Sequence, residues 1–335
     1  MSPEAKISLG AVVIGGSSIC NASCIHCPTG KAETKNVQGG VMPLDFYVSI
    51  VDQLAERCTV SDWISFGLYG DALVDPFIVE RTRYMKKRFP GVMVTLNTNG
   101  AAYSSAKHSP MAEIVDAITL HIESLRPDVY NFLMRPLRLE QILKKANAII
   151  RDFGKRVSIG TPLHRLNISE RQDIVDYFMS RGCGHVQFVG LSNRCSSNTL
   201  YDLLTIAPGA PLCRSDILRN FIVDWDGSVF PCCNDFRKEL SLGNLHHASL
   251  CDVLASSHRS KLGELLDAGD WASIPTCSKC RWDVGVEVGR QTAYLSPKKA
   301  EQPASAGADA QLQAVLASNS WRITAPLRAL KRLVS

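Results

Sequence analysis

Long apolar runs are missing from this sequence. No stretch reaches the roughly 18 residues that a membrane-crossing helix needs, so a helical membrane protein is not expected. Aromatics are sparse at 7%. No run of basic residues interleaves with them, and the net charge is only +5. That balance suits an anionic ligand and does not point to nucleic acid. An export signal is also weak. The N-terminus, MSPEAKISLGAVVIGGSSIC, has one early lysine and a short apolar run that flows straight into the first cysteines. It reads better as a first strand. No internal repeat is visible beyond an alternation of strands and helices.

Cysteine is abundant instead, with 12 in 335 residues. In a secreted chain that count would suggest disulfides. Here the cysteines cluster in metal-like spacings, so the expectation is a reducing cytoplasm and metal or iron–sulfur ligation. At 45% hydrophobic residues the chain supports a sizeable core, in one large domain or two.

Short apolar runs at 11–17, 63–68, 92–97, 116–122, 156–161 and 185–190 read as strands. Helical patterns near 43–58, 76–89, 137–153 and 168–181 lie between them. The last of these has Asn167 or Ser169 as a cap and Glu170 as early negative charge. Strand–helix alternation about six times means an α/β fold with a parallel sheet. It fits a partial (β/α)6 TIM-like barrel better than a closed eight-fold one. After about residue 200 the pattern changes. FIVDWDGSVFPCC (221–233) reads as a hairpin about an Asp226-Gly227 turn, followed by a helix at 248–267 and the pair Cys277-x2-Cys280. The expected organisation is a barrel over 1–200, a small C-terminal cysteine-rich module over 201–290, a flexible linker over 291–318 and a basic amphipathic tail over 319–335.

Cys20, Cys24 and Cys27 form a C-x3-C-x2-C triplet with His26 inside its last gap. Three thiolates can hold a cubane cluster and leave one iron open to an exogenous chelate. A zinc knuckle using His26 as fourth ligand is the alternative. The triplet, placed after a first strand, resembles the signature of the radical S-adenosylmethionine (radical SAM) superfamily. The resemblance implies that SAM chelates the open iron of a [4Fe–4S] cluster and yields a 5′-deoxyadenosyl radical. A flavodoxin- or ferredoxin-like reductant would be its partner. Tyr69-Gly70-Asp71 resembles the family's G-E-P segment that meets the SAM amino group, with Asp71-Ala72 replacing Glu-Pro. Asn97-Thr98-Asn99-Gly100 resembles its T-N-G turn. His121 and Glu123 stand where the family has a Ser-x-Asp pattern, on a face that looks into the barrel towards SAM or substrate.

Cys213, Cys232, Cys277 and Cys280 form a second set that resembles SPASM/Twitch modules. Without the later cysteines of a full SPASM domain, the four imply one auxiliary [4Fe–4S] cluster, as in the inosamine dehydrogenase branch of the superfamily. Cys233 is an alternative to Cys232, and a zinc ribbon is the alternative use of the set. Cys58, Cys183, Cys195 and Cys251 lack partner spacing and read as incidental. A fully ligated cluster suits electron transfer, so the expected reaction is dehydrogenation of a sugar or cyclitol alcohol. Arg194, after the sixth strand, is a candidate base or hydroxyl-binding group. Competing readings are a radical sugar epimerase with Cys195 as hydrogen donor, a peptide-modifying maturase, and a non-enzymatic zinc-binding interaction protein. The tail's Trp321, Leu327, Leu330 and Leu333, with its basic residues, would dock on a partner or a membrane surface.

Overall fold

A computed structural model describes residues 5–29, 39–210 and 213–283. The linker and tail read from the sequence lie outside the described residues. Six parallel strands carry the fold: β1 (Val12–Ile14), β2 (Trp63–Phe66), β3 (Met93–Thr98), β4 (Ala117–His121), β5 (Val157–Leu163) and β6 (His185–Gly190). Each pairs in parallel with the next, and β6 is an edge of the sheet. The expected open six-strand barrel is therefore present. The main crossover helices are α1 (Leu44–Arg57), α2 (Ile78–Arg88), α3 (Leu139–Phe153) and α4 (Arg171–Met179).

The helices form where apolar residues recur every three or four positions. In α1 the buried set is Tyr47, Ile50, Val51 and Leu54. In α3 it is Leu139, Ile142, Ala146, Ile149, Ile150 and Phe153. Such stripes face the sheet, and each large side chain buried there stabilises the fold by about 1.5–3 kcal/mol. Along β4 the buried residues Ile118 and Leu120 alternate with the less buried Ala117, Thr119 and His121. The second set turns towards the barrel interior. A cavity of about 500 Å³ opens there, bordered by Trp63, Ser65, Thr95, Asn97, Thr119 and Gln187.

The C-terminal hairpin is less separate than its sequence implies. β7 (Phe221–Val223) pairs in parallel with β1, and antiparallel β8 (Ser228–Phe230) and β9 (Gly243–Asn244) follow. The result is one nine-stranded sheet with the hairpin added at the β1 side. Two helix predictions are corrected. The stretch read as one helix over 248–267 is broken into Leu250–Leu254 and α5 (Ser257–Ala268), because Ser256 caps a new start by accepting from the Arg259 amide at 3.3 Å. The stretch at 168–181 opens as a 3-10 turn (Ile168–Glu170) before α4, and Asn167 makes no side-chain cap. Among the described residues, no helix is long and apolar enough to cross a membrane.

The chain leaves β1 through Gly15-Gly16, and both approach other backbone and charges closely. A Cβ on Gly15 would lie 2.6 Å from Asp224 Oδ1, and one on Gly16 would lie 2.6 Å from Asp75 Oδ2. Asp75 is held there by Arg81 at 2.8 Å, inside a pair that is fully buried on the arginine side. Arg81 also donates to the Met42 carbonyl and lies over the Tyr47 ring. Gly16→Ala must push this pair apart, which should cost about 2 kcal/mol by the usual overpacking penalty. Gly91→Ala, with open space around it, should be nearly neutral. Denaturant midpoints of the two variants test this, and equal midpoints would refute it.

Candidate active site

The loop after β1 carries the triplet. Its cysteines are half-buried and none is in a disulfide. Ile25 donates its amide to the Leu133 carbonyl at 2.8 Å, and the Cys24 thiol meets Met134 Sδ at 3.3 Å. The Cys20 sulfur accepts from the Ala22 amide at 3.4 Å and lies 3.7 Å from Asn99 Nδ2. Burial pushes the Cys20 thiol up to about 11, so a cation is needed to draw off its proton at neutral pH. Among the described residues, no three histidine, cysteine or carboxylate groups already form a metal cage. The fit to an iron–sulfur cluster rests on the donor set, three soft thiols on one short loop.

Asp71 is the hub of this face. Its carboxylate accepts from Thr98 Oγ1 at 3.0 Å, from the Asn99 amide at 2.6 Å and from the Leu73 amide at 3.0 Å. Its own amide donates to the Ile19 carbonyl at 3.0 Å in the cysteine loop. The Asp71 carboxylate is thus committed to the neighbouring turn. Burial raises its pKa, and the hydrogen bonds act against that rise. Asn99, positioned by Asp71, donates to Asn21 Oδ1 at 2.8 Å. Gly70 packs against the same loop so closely that a Cβ would lie 2.5 Å from the Ile19 carbonyl. Two further candidates turn elsewhere. The Tyr69 hydroxyl donates to the Asp235 carbonyl at 2.8 Å, in the C-terminal module. Asn97 faces the barrel interior and donates to Ser65 Oγ at 2.8 Å.

Glu123, just past β4, is 2% exposed. Its Oε1 lies 3.5 Å from His26 Nε2 and its Oε2 lies 3.8 Å from His164 Nε2. His26 is thus placed beside a carboxylate rather than as the fourth ligand of a zinc knuckle. His164 Nδ1 accepts the Leu166 amide at 3.2 Å, which leaves the proton of the neutral ring on Nε2, aimed at Glu123. Burial holds His164 at about 4. For Glu123 burial raises the pKa, against the opposing charges of His26 and Arg194.

Sequence reasoning missed His164, because the strand was taken to end at residue 161 and the chain continues extended to Leu163. It also took Asn167 as a possible helix cap, and it placed Glu170 rightly as early negative charge without seeing its partners. Asn167 instead donates to the Glu123 carbonyl at 2.8 Å and accepts from the His164 amide at 2.9 Å. Glu170 is buried and binds Ser124 Oγ at 2.7 Å and Arg126 Nε at 3.0 Å. His121 lies against Gly160, the residue opposite it in the register, where a Cβ would come within 3.3 Å of the ring. Burial, aided by Arg194, lowers His121 to about 4.

Past β6, Arg194, Cys195 and Ser196 all adopt left-handed backbone, with φ of 49°, 51° and 69°. Three such residues in succession are costly without glycine. Arg194 Nη1 donates to Asn234 Oδ1 at 2.6 Å, beside Cys232 and Cys233. Its charge acts on His121 and Glu123 in the barrel and on Cys233 and Cys280 in the module. Cys232 is half-buried and its sulfur accepts the Asn234 amide at 3.4 Å, whereas Cys233 is exposed. Cys195, read as incidental, is buried. Proximity to Cys280, with burial, pushes its thiol well above the ordinary thiol range.

Comparison with known proteins agrees with this geometry. The radical SAM superfamily profile matches residues 15–178, and the SPASM iron–sulfur cluster-binding domain matches residues 213–281. The S-adenosyl-L-methionine-dependent 2-deoxy-scyllo-inosamine dehydrogenase of Niallia circulans is 21% identical over 283 residues, covering 83% of this chain and 95% of that protein. The UPF0026 protein slr1464 of Synechocystis is 25% identical over 161 residues, covering 46% of this chain and 58% of that protein. Among solved structures, BtrN in complex with AdoMet and 2-DOIA superimposes with a TM-score of 0.58 at 17% identity, over 85% of this chain and 98% of that one. Native anSMEcpe with bound AdoMet gives 0.61 at 14% identity, over 92% and 97%.

Two outcomes are expected. Asp71→Ala strands several buried donors and should cost about 3 kcal/mol. Iron analysis should show it losing roughly the four irons of a first cubane, and full iron content would refute the hub role. The second concerns acid. His164 takes up its proton near 6.5 when unfolded and only at about 4 when folded. Between those values the unfolded state binds more protons, so stability is complete above about pH 6.5 and falls as pH drops towards 4. Melting curves of His164→Gln should fall less steeply over that window than those of the wild type; parallel curves would refute it.

Proposed function

We propose that this chain, which belongs to the radical SAM superfamily and carries a SPASM domain in its C-terminal region, oxidises an alcohol carbon of a sugar or cyclitol. The radical SAM domain implies a [4Fe–4S] cluster and SAM, held through Cys20, Cys24 and Cys27, and the SPASM domain implies auxiliary iron–sulfur ligation. We assign that ligation to Cys213, Cys232, Cys277 and Cys280, as one auxiliary cluster. When bound, these groups supply what amino acids lack, an adenosyl radical to remove a hydrogen atom and an acceptor for one electron.

The observation that carries the reading is the position of Arg194, whose charge reaches both Glu123 in the barrel and Cys280 in the module. Oxidation of a carbinol removes one hydrogen atom, one proton and one electron. Glu123 is the proposed acceptor of the hydroxyl proton, with its pKa raised by burial. Arg194 is better suited to orienting the alcohol oxygen than to acting as the base first considered, since guanidinium keeps its proton. Beside it, Asn234 and the module cysteines lie on the side where the electron must leave. The likeness to a 2-deoxy-scyllo-inosamine dehydrogenase over most of both chains supports a cyclitol or sugar substrate. Epimerisation is less well supported, because the Cys195 thiol turns to Cys280. A peptide substrate is the second reading, since the anSMEcpe fold is also solved with a bound Cp18Cys peptide.

Anaerobic incubation with SAM, dithionite and a panel of aminocyclitols and sugars tests the proposal. Formation of 5′-deoxyadenosine and a product two hydrogens lighter is expected, and Cys24→Ala should form neither. Glu123→Gln should lower turnover about 100-fold or more, the size of a general-base contribution, while still cleaving SAM. A product of unchanged mass that takes up solvent deuterium, or oxidation confined to peptides, would overturn the dehydrogenase reading.

A further inference from the structure

The foot of the barrel is open, and the chemistry proposed above makes no use of it. The cavity of about 500 Å³ is bordered by the first residues of five neighbouring strands, Trp63, Met93, Ala117, Val157 and His185. The cysteine loop and Glu123 follow the other ends of their strands, so the cavity and the reactive face lie at opposite ends of the sheet. His121 and Gly160, in contact one layer above Thr119 and Ser158, stand between the two. Barrel interiors are ordinarily filled by layers of bulky side chains. One half of this interior is filled, by Val13, Ile222 and Phe230 with Trp63 packed against them. The other half carries short polar groups instead. Thr95, Thr119, Ser158 and Gln187 line it from four successive strands. The side chains of Thr119, Ser158 and Gln187 make no hydrogen bond among the described residues. Two cations stand at the mouth. Lys155 and Arg156 lie on the turn before β5, are exposed, and pair with no carboxylate among the described residues. Asp116, the carboxylate on the same rim, is already committed. It binds Lys86 Nζ at 2.7 Å and accepts the Val94 amide at 2.8 Å. The mouth therefore keeps unneutralised positive charge, with unused hydroxyl and amide groups behind it.

We propose that the foot of the barrel binds a small hydroxylated organic phosphate, of the sugar phosphate or nucleotide kind. Its phosphate meets Lys155 and Arg156, and its hydroxyls enter between Thr119, Ser158 and Gln187. The cavity lies within the roughly 300–1,000 Å³ of small-molecule sites. A guanidinium and an ammonium side by side on one turn suit phosphate oxygens, which accept charge-assisted bonds. Trp63 and Met93 are partners in register across β2 and β3, and they give the mouth an apolar lip on which a ring face can rest. The ligand at this end is not the molecule that loses hydrogen, because the His121–Gly160 contact separates it from Glu123 and the cysteine loop. The site is therefore independent of which substrate the reactive face takes.

Anaerobic isothermal titration of the full chain tests this, with inorganic phosphate, glucose 6-phosphate and uridine monophosphate as probes. At least one of the two organic phosphates should bind about tenfold more tightly than inorganic phosphate. Changing Lys155→Ala and Arg156→Ala together should weaken that binding about tenfold or more, as the loss of charge-assisted bonds requires. Both residues are exposed, so the doubly substituted chain should fold as the wild type does. Thr119→Val keeps the side-chain shape and removes the hydroxyl. It should weaken the organic phosphate about threefold, the size of one hydrogen bond, and leave inorganic phosphate unchanged. Binding of glucose 6-phosphate alone makes the ligand a sugar phosphate, binding of uridine monophosphate alone makes it a nucleotide, and either supports the site. Equal affinity for inorganic phosphate reduces the mouth to a patch of charge and overturns the proposal. Unchanged affinity in the Lys155→Ala, Arg156→Ala chain places the ligand elsewhere and overturns it too, as does binding of neither organic phosphate.

Discussion

One buried carboxylate sets the geometry of the reactive face. Asp71 accepts from the turn after β3 and from its own turn, and its amide holds the cysteine loop. Three loops from three strands are thereby tied at one point. A short loop with three thiols has no hydrophobic core of its own, so its conformation must come from such ties. Asn99 passes the constraint on, reaching Asn21 and the Cys20 sulfur. The position of a cluster in this protein is thus decided by hydrogen bonds some way from the sulfurs, and the cost of burying Asp71 is offset by the donors around it.

The second constraint is the sheet. Because β7 pairs with β1, the hairpin that leads to Cys232 is an extension of the same sheet that ends in the triplet loop. Tyr69 adds a bond from the β2 turn to Asp235, and Asn193 adds the seam at the β6 end. The module is therefore fastened at both ends of the barrel rather than tethered by a linker. The continuous sheet, together with an apolar core that joins module residues such as Phe221, Val253 and Leu266 to the barrel, holds the module in one place. Arg194, through its bond to Asn234, adds a further tie at the β6 end.

Much of this was legible in the sequence, and the failures have physical reasons. The six strands and the main helices follow from periodicity that local burial enforces, as in α3. The two cysteine sets stand out because metal ligation demands particular spacings. What failed were residues whose task is set by a neighbour in space. Asn167 and Glu170 look like helix-start residues, yet both serve loops about 45 positions away in the chain, at Glu123 and Ser124. Cys195 carries no motif spacing, and only the fold brings it near Cys280. His164 is a lone histidine after a strand, and only the register of β4 and β5 brings it to Glu123.

The barrel interior explains why the chemistry gathers at one end. Its wall carries hydroxyl and amide groups, among them Ser65, Thr95, Thr119 and Gln187, around a cavity rather than a packed apolar core. The burial that stabilises the fold lies outside, between strands and helices, as the alternation along β4 shows. Such an arrangement leaves inward positions with little packing duty, so they are available for polar use. At the upper end, His121 fills the space left by Gly160, and Glu123 sits beyond it with almost no exposure. A carboxylate there is shielded from bulk water on the barrel side, which strengthens its interactions with whatever binds above. The same shielding suits radical chemistry, whose reactive intermediates must be kept from solvent.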